Sequence, residues 1–129
     1  MKRFLYGLVI IALAACNSSE DTKLRGVDWI VDYYTETGGS QVVTQTNYIL
    51  NFTEAEYTYK MNVNTCFGTF SEKDGKEISF ATAACTEACC DDDDALKILE
   101  LIKSAETYEL DNIELKLKGT AGEVLLFAN

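Results

Sequence analysis

The chain of 129 residues contains no histidine and no proline. Without histidine there is no ordinary general base, no Ser-His or Cys-His nucleophile pair and no histidine-containing metal site, so much enzymology is excluded. Cations are scarce as well: 11 Lys and Arg stand against 21 Asp and Glu, for a net charge of −10. Such a surface repels phosphate backbones, which argues against nucleic acid as a partner. No phosphate loop, nucleophile elbow or dinucleotide fingerprint occurs. A long apolar run is also missing. The stretch from Phe4 to Ala15 makes a helix of roughly 18 Å, against a hydrocarbon core of about 30 Å, too short to span comfortably.

What that stretch does have is the layout of a secretory signal: Lys2 and Arg3, an apolar centre, then small residues. Its last four residues, Leu13-Ala14-Ala15-Cys16, resemble the lipobox of bacterial lipoproteins, in which small side chains admit the peptidase and the cysteine is acylated. Residues 1–15 are therefore expected to be a signal peptide and Cys16 the lipidated first residue. Acyl chains contribute about 0.8 kcal/mol per buried methylene, so such an anchor holds a domain to a membrane with no spanning segment. Asn17-Ser18-Ser19-Glu20-Asp21-Thr22 is polar and free of large apolar groups, so residues 16–23 read as a lipidated tether. Asn rather than Asp at position 17 favours the outer membrane, and Glu20-Asp21 resembles a surface-export signal of some lineages. The expected location is the outer membrane, on its periplasmic face or at the cell surface.

Residues 24–129 carry no linker and no repeat, and the only low-complexity tract is Asp91–Asp94. Val27–Tyr34 is rich in β-branched and aromatic residues and stops at the turn cluster Thr35–Ser40, which predicts a first strand. Tyr48–Phe52 and Tyr57–Val63 alternate in polarity around Thr53-Glu54-Ala55-Glu56 and predict a hairpin, with Tyr57, Tyr59, Met61 and Val63 on one face. Phe67–Ser71 and Glu77–Phe80 predict a second hairpin, turned by Asp74-Gly75. Ala95, Ile98, Leu99, Ile102 and Ala105 recur at helical steps within Asp91–Ala105. Tyr108–Leu110, then Ile113, Leu115 and Leu117 alternating with Glu114, Lys116 and Lys118, then Val124–Phe127 predict closing strands. The fold class is mainly β with one helix: a small curled antiparallel sheet or partial barrel of about eight strands.

These residues carry a resemblance. Trp29, Asn64-Xaa-Xaa-Xaa-Gly68-Xaa-Phe70, the Asp-Gly hairpin, Phe80 with Thr86-Glu87-Ala88-Cys89-Cys90, the helix and two last strands ending Leu125-Leu126-Phe127 are similar to the META domain, a family that includes heat-shock-linked envelope lipoproteins. The resemblance implies an all-β domain with a helix over residues 24–129, and says little about activity. In that family a cysteine typically precedes the asparagine that Asn64 matches; here that residue is Val63, whereas Cys90 fits the family's second cysteine. Gly26-Xaa-Xaa-Trp29 would also suit a lipocalin-like domain.

Once Cys16 is set aside, Cys66, Cys85, Cys89 and Cys90 remain, an even number that in an oxidising compartment points to two disulfides. A Cys89–Cys90 bridge would close a strained vicinal ring, which leaves Cys66–Cys90 with Cys85–Cys89, or Cys66–Cys89 with Cys85–Cys90. A thiolate zinc site is the alternative, but Cys-Xaa-Xaa-Cys spacing is absent. Asp91, Asp92, Asp93 and Asp94 stand where the helix begins. Asp91 or Asp92 is expected to cap its free amides, and the rest to complement its positive end. Calcium binding is the competing reading, although the ligand spacing of an EF-hand loop is missing. The tyrosines on strands are expected to be core or cross-strand packing, and Glu54, Glu56, Asp28 and Asp32 solvated surface. No catalytic residue and no cofactor are expected.

The function expected is that of a lipid-anchored bacterial envelope protein, non-catalytic, acting by binding or by supporting envelope integrity under stress. A membrane is its partner through the N-terminal anchor; a protein or small-molecule partner is not legible. Two alternatives are a lipocalin-like carrier of a small apolar ligand and a thiol-disulfide catalyst using Cys89-Cys90. A solid interior favours the first function over the carrier.

Overall fold

A computed structural model describes residues 23–129, so Cys16, the signal-like segment and the tether up to Thr22 lie outside the described residues. The chain order is β1 (Asp28–Glu36), β2 (Val42–Val43), β3 (Ile49–Phe52), β4 (Glu56–Lys60), β5 (Thr65–Lys73), β6 (Glu77–Phe80), β7 (Ala84–Cys85), α1 (Asp93–Lys103), β8 (Ala105–Asp111), β9 (Glu114–Gly119) and β10 (Gly122–Ala128). Neighbours pair in the order β1-β3-β4-β5-β6-β8-β9-β10, and β10 returns to β1. The result is a closed antiparallel barrel of eight strands, with β2 added beside β1 and β7 beside β5. Closure removes the free edges that a partial barrel would leave for aggregation.

Alternation fills the inside. Trp29, Leu50, Phe52, Tyr57, Tyr59, Leu115, Leu117, Val124 and Leu126 are all buried, as strands with one face inward require. Two bulges re-aim the pattern. Between Val31 and Tyr33 the register of β1 against β10 shifts, so the buried parity passes from Trp29 and Val31 to Tyr34; without the extra residue the Tyr34 ring would face out. β8 does the same between Ala105 and Thr107, which brings Tyr108 inside.

The Asp-Gly hairpin forms as its residues dictate, with φ of 56° at Asp74 and 64° at Gly75. Gly68 answers to space instead. It lies opposite Tyr57, and a Cβ on it would come 2.6 Å from Tyr57 Cε1. The ring needs that room because it stands edge-on to Phe80, centroids 5.0 Å apart. Two expected strands are shortened, one at its end and one at its start. β4 stops at Lys60, so Val63 is 49% exposed instead of sharing the face of Tyr57, Tyr59 and Met61. Ile113 falls in the β8–β9 turn after Asn112, whose φ is 56°, and is 54% exposed.

Each barrel end is covered. The helix buries Ala95, Ile98, Leu99, Leu101 and Ile102 and reaches strands on opposite sides of the ring. Tyr34 of β1, Tyr59 of β4 and strands β6 and β9 all meet it, so it lies across one mouth. At the other mouth, residues 23–27 fold over the barrel. Leu24 is buried, and its carbonyl accepts a 2.9 Å bond from the Trp29 indole. Arg25 sits 5.1 Å from the centroid of the Phe70 ring and pairs with Glu72, whose other oxygen accepts from the Tyr108 hydroxyl at 2.6 Å. Among the described residues no helix is long and apolar enough to cross a membrane.

Candidate functional site

The helix-capped mouth gathers most of the residues singled out in the sequence. Its centre is Asn64, the one buried polar side chain among the described residues, held in the turn between β4 and β5. Its Nδ2 donates to the Ala88 carbonyl and to Asp91 Oδ2, both at 2.6 Å. Its Oδ1 accepts from Thr86 Oγ1 at 2.9 Å and from the Ala88 amide at 2.8 Å. Thr86 Oγ1 in turn accepts from the Thr65 amide at 3.0 Å. One amide therefore ties the β4–β5 turn to the Thr86–Asp91 segment and saturates its hydrogen-bonding capacity in doing so.

The four aspartates divide the work. Asp91 Oδ1 accepts from the amides of Val63 and Asn64 at 2.8 and 3.1 Å. Asp92 is the helix N-cap and takes the Ala95 amide at 2.8 Å, together with the Tyr48 hydroxyl and the Asn62 side chain. Asp94 accepts from the Tyr34 hydroxyl at 2.6 Å. Asp93 stays exposed in the first helical turn, where it complements the positive helix end. Desolvation pushes the carboxyls of Asp91 and Asp92 upward, but the donors around each outweigh it and hold both below the usual carboxylate range. Burial, then the bond to Asp92, pushes Tyr48 up to about 12. Burial and Asp94 raise Tyr34 further. These phenols stay protonated at neutral pH, so they serve as donors and not as bases.

Asp91, Asp92 and Asp94 are thus fastened to separate partners. Among the described residues no three acidic or cysteine side chains converge to hold a metal ion. Every buried side-chain nitrogen or oxygen among the described residues has a partner.

The cysteine pairing departs from expectation. Cys66 and Cys85 are bonded, so neither of the two pairings derived above occurs. The cause is register. β7 runs antiparallel to β5 with Cys66 directly opposite Cys85, their Cα atoms 4.0 Å apart, and this two-residue strand was not legible in the sequence. Val63, which stands where the family typically has cysteine, donates its backbone amide to Asp91, one residue from Cys90. Cys66 is fully buried, whereas Cys89 and Cys90 are exposed.

The surface offers shallow clefts outside the barrel. One, lined by Thr35, Glu36, Lys118 and Gly122, and another, beside Arg25, Glu72 and Tyr108, each hold about 280 Å3. Both fall below the roughly 300–1,000 Å3 of typical small-molecule sites.

The architecture is a closed eight-stranded barrel plugged by a helix whose N-terminus is clamped through an Asn–Thr–Asp network. The META domain model matches residues 22–129, and the chain belongs to that family. Its fold is similar to a protein from Burkholderia xenovorans solved by NMR, with a TM-score of 0.64 at 15% identity, covering 82% of this chain and 83% of that one. No curated protein matches the chain.

Proposed function

We propose that the chain is a bacterial envelope lipoprotein, cleaved before Cys16 and acylated there, whose META domain acts without catalysis, by binding a partner or by supporting the envelope under stress. The observation that carries this reading is sequence continuity: Leu13-Ala14-Ala15-Cys16 is followed by six polar residues and then at once by the domain, whose first buried side chain is Leu24. A membrane anchor on so short a tether keeps the domain at the outer membrane. Two features of the mouth and the interior support the non-catalytic part. The acidic side chains at the helix mouth act as acceptors for backbone, Asn and Tyr donors, and the barrel is filled by Trp29 and the Tyr and Phe side chains. The filled interior also speaks against a lipocalin-like carrier, which needs an empty one.

Expression of the full chain with and without Cys16→Ala, followed by detergent phase partition and labelling with a fatty-acid analogue, tests the anchor. The unsubstituted chain enters the detergent phase with label, and the variant stays aqueous and unlabelled. An unsubstituted chain found unlabelled in the aqueous phase refutes the reading.

A further inference from the structure

The two ends of the barrel are not equivalent with respect to the anchor. We infer that the mouth covered by residues 23–27 lies against the bilayer, with Ile113 as its apolar contact, and that the helix-capped mouth points away; this rests on lipidation at Cys16. The chain enters the barrel at the mouth that also carries the β3–β4, β5–β6 and β8–β9 turns, because β1 starts there beside Asn51 and β10 ends there. Seven residue steps separate Cys16 from Lys23, a reach of at most about 25 Å. β5, with nine residues, spans about 20 Å along the axis of a barrel whose strands tilt by about 40°. An inverted domain would have to lead its tether back along that whole wall and still cross a headgroup layer of about 6 Å. The reach does not suffice.

Exposure points the same way. Of the large apolar side chains exposed among the described residues, Ile113 alone sits on the near mouth, at the tip of the β8–β9 turn. A single aliphatic side chain on a turn tip can enter the boundary between headgroups and acyl chains without unfolding a strand.

The test uses the mature acylated protein in vesicles of phosphatidylethanolamine and phosphatidylglycerol that contain a lipid with a nitroxide on its headgroup. Ile113→Trp and Leu96→Trp place an indole at exposed positions of the near and far mouths. The signal of buried Trp29, measured in the unsubstituted protein, is subtracted. Added fluorescence in Ile113→Trp is expected to be blue-shifted on binding and quenched several-fold more than in Leu96→Trp. Equal quenching, stronger quenching in Leu96→Trp, or no quenching in either while the protein floats with the vesicles overturns the orientation and leaves the anchor standing. Protein that does not float overturns the anchor itself.

Discussion

Replacing Asn64 by alanine removes four hydrogen bonds at once: two to Ala88, one to Thr86 and one to Asp91. Each is worth about 0.5–1.5 kcal/mol net, which would give roughly 2–6 kcal/mol if all were lost without replacement. Thr86 and Ala88 are exposed, so water takes over part of their bonding, and Asp91 keeps the two backbone amides of the turn. The loss therefore falls at about 2–4 kcal/mol, a large part of the roughly 5–15 kcal/mol that holds a domain together. Urea unfolding followed by Trp29 fluorescence measures it, since that indole is fully buried and reports exposure of the interior. The midpoint drops while the slope stays constant, because the surface exposed on unfolding is unchanged. The companion variant Asn64→Asp keeps the shape but sets a carboxylate against Asp91 Oδ2, where the amide donated at 2.6 Å. Two carboxylates sharing a site raise one folded-state pKa. A raised value means stability retained at low pH and lost as pH rises, so this variant is expected to lie closer to the parent at pH 4–5 than at pH 7. A change below about 0.5 kcal/mol for Asn64→Ala, the range of an ordinary surface substitution, or a pH-independent penalty for Asn64→Asp, refutes the clamp.

Cys66→Ala with Cys85→Ala opens a cross-link of sequence separation 19 and costs about 3 kcal/mol by the chain-entropy model; a melting temperature lower by roughly 10–20 °C checks it, and an unchanged one contradicts it. Gly68→Ala drives a methyl into the Tyr57 ring and costs about 1–3 kcal/mol, read as a lower urea midpoint; a neutral result means the ring moves freely. Stability against pH has two edges. Asp91, Asp92 and Glu72 have lowered values, so what they contribute is present above about pH 4 and lost as pH falls through the depressed values. Tyr48 and Tyr108, raised to about 12, contribute below the unfolded phenol value of about 10, and that is lost as pH climbs through 12. Melting temperatures that fall between pH 5 and 9 would show that other groups govern the pH response.

Period and turn chemistry made much of this architecture legible. Alternation located β3, β4 and β9, the three- and four-residue steps located α1, and turn residues located the second hairpin at Asp74-Gly75 and β10 after Gly119–Gly122, since each depends on neighbours in the chain. Closure of the barrel was not legible, because the β1–β10 pairing joins opposite ends of the domain. Nor were the bulges in β1 and β8, which change parity without a marker such as glycine. Strands β2 and β7 have two residues each, too few for a period. The cysteine pairing failed for that reason: the register of Cys66 with Cys85 belongs to β7. An aspartate cap just before an apolar periodic run narrowed the helix start to Asp91 or Asp92, and the structure assigns Asp92. Its bond to Tyr48 and the role of Asn64 as a clamp did not, because both link segments more than twenty residues apart.

The anchor on Cys16 is the claim on which location and orientation rest. Intact mass and N-terminal peptide mapping of the protein purified from its native membrane test it most directly. The account predicts a first residue at Cys16 bearing fatty acyl groups and no peptide from residues 1–15. A peptide starting at Met1, or an unmodified Cys16 thiol, would contradict it.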